Sequence, residues 1–504
     1  MLLINEIKLR LDEDESYIKN KIEKFLNASI NSFEIKKKSL DARKEPIFVY
    51  SVLVDVDNEN KYLRKNNVSK YIKEDLKPKF IKRDKKVIVV GYGPSGIFSA
   101  YRLIEAGFNV SVFERGKRIE DRVKDVERFF NEGILDVNSN VQFGEGGAGT
   151  FSDAKLTTRV KDKYIDYILD IFIRHGAKKS IKYEHHPHIG TDVIRKIIEN
   201  ITDYLISKGC DFHFKEEVTS LLLDNNHTCI GINTNKGKYT ADYVLFGIGH
   251  SAYNTVCELR KQGVYIESKD IAVGFRVEHP QSLIDERQTN NLIDEANEYL
   301  LRYKGEKGVY SFCMCPGGIV VPAMSDENSI VTNGMSYSNR DSKIANSAIL
   351  IQVFASEFDD GYIYLKEIET KAYNYSKSYK ALAQNIKDFM HNELNDLIFK
   401  SSYPLDTVLY DFNNFFCEKD LKIVKEALID FDKKIPGFIE KGIMVGPETR
   451  SSCPIRIKRN ERLESINTKR LYPMGEGAGY GGGIMSCALD GIRISNIIIN
   501  DGIV

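Results

Sequence analysis

The chain has 504 residues, with 72 Lys and Arg against 72 Asp and Glu, and 42% of it is hydrophobic. That length allows two or three domains with sizeable cores, and the balanced charge excludes a global pull toward nucleic acid or an anionic membrane. No apolar run approaches the roughly 20 residues of a spanning helix, and the opening residues Met1 to Lys8 lack a signal-peptide core, so a soluble, cytoplasmic protein is expected.

Residues 1–80 read as a separate small α+β domain. Ile4 to Leu11 alternates like a strand, Ser16 to Leu26 has helical apolar spacing, and Ile47 to Val56 is a second strand. Residues 1–86 hold 21 Lys and Arg against 15 Asp and Glu. Without interleaved aromatics, this excess reads as a solvated surface ending in the charged linker Lys77 to Lys86, and not as a nucleic-acid face. A docking role for this domain, in RNA binding or regulation, is the alternative from outside the enzyme class.

Residues 81–270 open on Val87-Ile88-Val89-Val90, a buried parallel strand, followed by Gly91, Gly93 and Gly96 at G-x-G-x-x-G spacing. A helix from Ile97 to Glu105 and a strand from Val110 to Phe113 then deliver Glu114, 23 residues after Gly91. In this motif the first glycine permits the tight turn, the second lets backbone approach a pyrophosphate, and the third packs helix on strand. Pro94 and Ser95 open the helix, whose N-terminus attracts phosphate. Glu114 suits an adenosine ribose with a free 2′-hydroxyl, so FAD and NAD both fit and NADP does not. Arg115 and Arg122 are candidates to meet the cofactor's charge.

After a helix from Ile119 to Glu132 comes Phe143 to Asp153, with four glycines in the six residues Gly144 to Gly149. Such a run is costly in backbone entropy, and the flanking Phe143 and Phe151 anchor it. The segment reads as a loop along the cofactor, with Gly146, Gly147, Gly149 and Thr150 as contacts. His185, His186 and His188 resemble a metal cluster, but no Cys or acid stands at ligand spacing, so no metal is expected. His188, just before a helix from Val193 to Ser207 capped by Thr191 or Asp192 and by Gly209, is a candidate general acid. Strands at Phe212 to Leu223, Cys229 to Thr234 and Tyr239 to Ala241 form a meander. It returns through Tyr243 to Phe246, and Gly249 and His250 end that return close to the cofactor.

Residues 271–455 read as an inserted substrate or cap domain with strands at Ile271 to Val277 and Gly318 to Pro322 and long helices after Ile344. Cys313 and Cys315 stand one residue apart before Pro316-Gly317-Gly318 and are candidates for redox or thiolate chemistry, with a small-residue structural role as the bland reading. Glu448, Arg450 and Arg456 are candidates to orient an anionic substrate. The eight cysteines lack a secretory context and read as free thiols.

Residues 456–504 complete the nucleotide domain. Leu471 to Met474 is a short strand, Gly475-Glu476 follows, and Gly481, Gly482 and Gly483 lead into a helix from Ser486 to Ile498. Flavoproteins hold the flavin end in this way. Glu476 would bond the ribityl hydroxyls, and the N–H groups of Gly482, Gly483 and Ile484, at the positive end of a helix dipole, would face the flavin edge that becomes negative on reduction. An NAD-only enzyme has no need of this second site, so the cofactor is read as non-covalent FAD.

The combination of Gly91 to Gly96, Phe143 to Asp153, Phe312 to Gly318 and Gly475 to Met485 resembles the bacterial family of uncharacterised FAD-dependent dehydrogenases, over nearly the whole chain. The resemblance implies an α/β protein with a Rossmann-like, three-layer FAD domain of the glutathione-reductase type, a distinct C-terminal region and general oxidoreductase activity on an unnamed substrate. Proteins of this fold usually carry Asp where this chain has Glu476.

The expected activity is hydride transfer through flavin N5 to or from a small substrate or an electron donor or acceptor. Reduction of an unsaturated hydrophobic compound and flavin monooxygenation are the alternatives within the class. No second G-x-G-x-x-G with strand and helix around it marks a dedicated NAD(P)H domain, so NAD(P)H would visit only transiently. No feature of the sequence speaks to oligomeric state.

Overall fold

The computed structural model describes residues 1–41, 47–184, 187–289 and 296–501, and divides the chain into two compact units. The first joins Met1–Lys77 to Lys163–His188. Its sheet is antiparallel, in the order Ser32–Asp41, Ile47–Asp55, Leu2–Arg10, Val68–Lys70. The helix Tyr17–Leu26 puts Ile18, Ile22 and Leu26 on one face, and they bury against Leu2, Ile4, Val52 and Val54. The strand Ser32–Asp41 was not anticipated, because its run of three lysines hides the alternation of half-buried positions.

The segment 163–188 joins this unit through the helix Tyr164–Arg174 and a backbone bond from Lys38 N–H to the Tyr183 carbonyl at 2.7 Å. Lys21, Lys36 and Lys38 pair with Glu13, Asp166 and Glu15, so part of the basic excess is neutralised within the unit.

The second unit, Pro78–Asp162 with Ile189–Val504, is built on two larger sheets. One is parallel throughout, in the order Leu471–Pro473, Tyr243–Phe246, Lys86–Val90, Asn109–Glu114, Asp211–Phe214. Val87 to Val90 are all buried, as a strand covered on both faces requires. The first and last helices, Pro94–Glu105 and Ile484–Asp501, pack closely, and a Cβ on Gly491 would stand 2.3 Å from the Ser95 carbonyl oxygen.

The expected strand from Phe212 to Leu223 is two strands. Asp211–Phe214 closes the parallel sheet, and Val218–Leu223 starts a three-stranded meander with Cys229–Thr234 and Lys238–Thr240. Lys215, at φ 56°, breaks the extended run, and its N–H is taken by the Gly116 carbonyl.

The other large sheet has seven strands, ordered Arg302–Lys304, Gly308–Cys315, Ile344–Val353, Ile271–Pro280, Ile443–Glu448, Ala381–Asn385, Thr407–Leu409. Only the last pair is parallel. The helices Gly361–Ser376 and Glu418–Lys434 contribute Leu365, Val424, Leu428 and Phe431 to its core. Residues 344–353, where long helices were expected to begin, form a nearly fully buried strand. Burial on both faces removes the period-2 alternation that would have marked it. Among the described residues no helix is long and apolar enough to cross a membrane.

Candidate functional site

The glycine-rich segments, far apart in sequence, meet at the carboxyl ends of the parallel strands. Gly91 (φ 82°) turns the chain so tightly against the next strand's end that a Cβ there would lie 2.1 Å from the Gly247 carbonyl oxygen. A Cβ on Gly96 would lie 2.0 Å from the Gly91 carbonyl oxygen, so only glycine lets this helix seat on its strand. Gly93 precedes Pro94 at the helix start, which carries no side-chain cap. Ser95 is buried between strand ends, within 2.9 Å of where Cβ atoms on Gly247 and Gly475 would stand.

The loop 143–151 lies directly on this turn. Gly146 N–H donates to the Tyr92 carbonyl at 2.9 Å, and a Cβ on Gly147 would come within 2.8 Å of Gly93 Cα. Gly149 faces the side chain of Ile484 at the start of the last helix. Thr150 is buried, its carbonyl accepting from the Thr191 hydroxyl.

Glu114 is buried and accepts three backbone N–H bonds: from Tyr92 to Oε2, and from Gly116 and Gly144 to Oε1. It therefore pins the first glycine turn to the second glycine loop. A carboxylate offers about four acceptor positions, so one, on Oε2, stays open for a ligand hydroxyl. Beside it is a hollow lined by Gly91, Glu114, Arg115, Phe143, Val218 and Thr255. The Arg115 guanidinium forms one wall, stacked 4.1 Å over the Phe143 ring and paired with Glu217. Val218 and Thr255 carry no motif and were missed by the sequence reading.

Arg122 is a correction. Its side chain is fully buried and donates to the carbonyls of Asn140, Val141 and Glu145, above the Phe151 ring. Each of its three nitrogens donates to the 140–151 loop, so this fully buried side chain shapes that loop.

At the other end, Gly475 N–H is held by Asp490 from the last helix at 2.8 Å, and Asp490 is fixed by Arg459 at 3.0 Å. The sequence reading missed both, because an acid in mid-helix and a loop arginine form no recognisable spacing. Cβ atoms on Gly249, Gly482 and Gly483 would meet nothing within 4 Å, so open space adjoins all three. Of the three N–H groups expected to face a ligand there, that of Gly482 is already bonded to the Ser486 hydroxyl at 3.2 Å.

Glu476 projects beside this space with its carboxylate 3.8 Å from His250 Nδ1. Burial pushes the Glu476 carboxyl up to about 7. His250 is buried with Nε2 unpartnered, and burial, with the Arg450 charge, pulls it down to about 3. The site thus pairs a carboxyl that resists ionisation with an imidazole that resists protonation.

Arg450 closes this end, bonded to Glu369 and Asp326 and reaching the Ser251 hydroxyl at 3.3 Å. Two residues earlier, Glu448 pairs with buried Arg276 at 2.9 Å. These two residues make internal ion pairs in place of the expected substrate-facing role. Cys313 and Cys315 lie in a bulge of the seven-stranded sheet on Arg276, whose Nη2 reaches the Cys313 carbonyl at 2.6 Å and Cys315 Sγ at 3.9 Å. His188 is half-buried at the end of the segment 163–188, in the first unit, outside the unit that carries the other candidates. His185 and His186 lie outside the described residues.

Residues 270–451 match the family described as FAD-dependent protein, C-terminal domain-like, and residues 1–56 match a domain of unknown function, DUF8436. An uncharacterized protein of Clostridium beijerinckii is 39% identical over 524 residues, covering 98% of each chain. Among solved structures, an oxidoreductase from Methanosarcina mazei is 13% identical with a TM-score of 0.33, over 82% of this chain and 100% of that one. The flavin-dependent halogenase CmlS is 11% identical with a TM-score of 0.37, over 83% of this chain and 58% of that one. Likenesses this distant carry no weight for the chemistry.

Proposed function

This chain belongs to the same family as the Clostridium beijerinckii protein, and we propose that it is an FAD-dependent oxidoreductase acting on a small substrate. The observation that carries the reading is the convergence of Gly91–Gly96, Gly144–Gly149, Gly249 and Gly475–Gly483 around open space at the ends of one parallel sheet. The strand order supports a Rossmann-like domain of the glutathione-reductase type. On this reading the seven-stranded sheet of residues 271–455 is the substrate or cap domain. The match of residues 270–451 to the FAD-dependent C-terminal family supports that division.

The donor set fits a flavin dinucleotide. The helix start at Gly93 to Gly96 presents uncapped backbone to a pyrophosphate. Glu114 keeps one acceptor position for a ribose hydroxyl, and the hollow beside Arg115 and Val218 has aromatic and apolar walls suited to an adenine. Glu476 and the unpartnered Nε2 of His250 are the polar groups at the ribityl and flavin end.

When bound, FAD supplies the hydride or electron-pair chemistry. The chain's own residues orient it and set its electrostatics. The N-terminus of Ile484–Asp501 favours negative charge. Glu476, held largely protonated below pH 7, adds little negative charge of its own there. Reoxidation falls to the substrate or another small acceptor.

The test is reconstitution of the purified full chain with FAD, followed by anaerobic addition of NADH and NADPH at the flavin absorption band. Retention of flavin is expected. A chain that stays colourless in excess FAD would overturn the reading, and retention without bleaching by either nucleotide would remove nicotinamide as donor while leaving FAD in place.

A further inference from the structure

The strand Gly308–Cys315 runs regularly against Ile344–Val353 until Phe312 pairs with Ala348, and then slips so that Cys315 faces Asn346. Cys313 sits in the slip at φ 43°, a left-handed conformation that a Cys adopts only when its surroundings hold it there. Arg276 supplies that hold. Its Nη2 bonds the Cys313 carbonyl at 2.6 Å, its Nη1 bonds Glu448 at 2.9 Å, and its Nε bonds Asn346 at 2.8 Å. The Cys315 thiol donates back to the Cys313 carbonyl at 3.3 Å, which sets the two cysteines together in the bulge. Cys313 is half-buried as a residue, whereas Cys315 is buried. A bulge that re-aims a side chain against a fixed cation is a common device at reactive sites.

We propose that Cys313 and Cys315 form a redox-active dithiol in which Cys313 is the attacking thiolate and Cys315 the resolving thiol. This assignment does not depend on the flavin reading. The Cys315 thiol and the charges of Arg276 and Lys155 favour the Cys313 thiolate, against burial and the carboxylate of Glu448, and bring it down to about 7. Cys315 is driven the other way by Cys313 itself and by burial, with Asp153 adding to the rise against the Arg276 charge. One sulfur is thus an anion near neutral pH and its neighbour retains its proton, the division of roles a resolving pair requires.

With a small soluble disulfide as oxidant, the Cys313 thiolate attacks one sulfur, the S–S bond breaks and one thiolate leaves. Cys315 then loses its proton to solvent and attacks the Cys313 sulfur, expelling the second thiolate. The product is a Cys313–Cys315 disulfide, two small thiolates and one proton.

The full chain is reduced, freed of reductant and exposed to oxidised glutathione, then digested and weighed. The peptide holding both cysteines is expected to become two hydrogens lighter. Cys315→Ser should trap glutathione on Cys313, and Cys313→Ser should leave Cys315 unmodified. Independently, iodoacetamide alkylation of Cys313 in the wild-type chain should follow a midpoint about 7. At pH 7 that gives a thiolate fraction roughly 15-fold above an ordinary thiol with a pKa of about 8.5. A peptide that stays reduced while exposed Cys417 takes up glutathione overturns the dithiol, as does an alkylation midpoint above 8.

Discussion

His250 and Glu476 make the sharpest test of the candidate site, because their opposed titrations leave signatures that packing alone does not produce. The Glu476 carboxyl is raised from 4.5 to about 7 by burial, so the folded chain keeps a proton that the unfolded chain gives up. Its stabilising share is full below pH 4.5 and is lost as pH rises through 7, a swing of about 3 kcal/mol, reduced somewhat because a quarter of the side chain is exposed. His250 is lowered from 6.5 to about 3 by burial. Its share is present above pH 6.5 and is lost as pH falls, by about 3 kcal/mol on reaching pH 4.5. In the wild-type chain without flavin the two effects oppose one another between pH 4.5 and 6.5. Glu476→Gln should therefore be more stable than wild type by up to about 3 kcal/mol at pH 8, with no difference at pH 4.5. His250→Asn should match wild type at pH 8 and exceed it by a similar amount at pH 4.5. Thermal midpoints of the flavin-free proteins at matched pH read these differences, at roughly 1 °C per kcal/mol for a chain of this length. If both variants track wild type in parallel across this range, neither group is shifted by burial and the reasoning fails.

Three further substitutions separate cradle from scaffold. Gly482→Ala meets nothing within 4 Å and needs no unusual backbone, so its melting temperature should match wild type while FAD affinity, measured by fluorescence titration, falls. Gly96→Ala drives a methyl to 2.0 Å from the Gly91 carbonyl oxygen, so it should cost about 3 kcal/mol or more and leave the purified chain without flavin. Arg122→Ala strands three buried carbonyls, which should cost about 3 to 5 kcal/mol and speed proteolysis between residues 140 and 151.

What the sequence disclosed follows from how each part is built. The dinucleotide cradle is made of backbone, and backbone needs show up as glycine: Gly91, Gly96 and Gly147 stand where a Cβ would strike main chain. Four of the five parallel strands were also plain, the clearest being the buried β-branched run Val87 to Val90, whereas Asp211–Phe214 was merged into the meander. The same burial made Ile344–Val353 ambiguous, since a fully covered strand and a buried helix both read as apolar. The segment 163–188 has apolar spacing but nothing local that ties it to a sheet more than a hundred residues earlier. Arg122 was misjudged for a related reason. A positive charge beside a nucleotide motif suggests a phosphate, whereas its nearest acceptors prove to be carbonyls of a loop 18 to 23 residues downstream.

On the proposed reading, the groups able to do chemistry are separate from the glycines that would hold FAD. Strand Ile443–Glu448 of the seven-stranded sheet ends on Glu448, which fixes Arg276 and through it the Cys313 bulge. The next residues are Thr449 and Arg450. Both bond buried Glu369, and Arg450 continues to the Ser251 hydroxyl beside His250. Three consecutive residues therefore join the dithiol to the imidazole that faces Glu476. Each is anchored by its own charged or hydroxyl partner, so the run behaves as a rigid strut. On the proposed reading the glycine segments hold FAD, and they leave the reaction open. Cys313 lies half-buried at the far end of this run, and His250, whose imidazole resists protonation, lies buried at its near end.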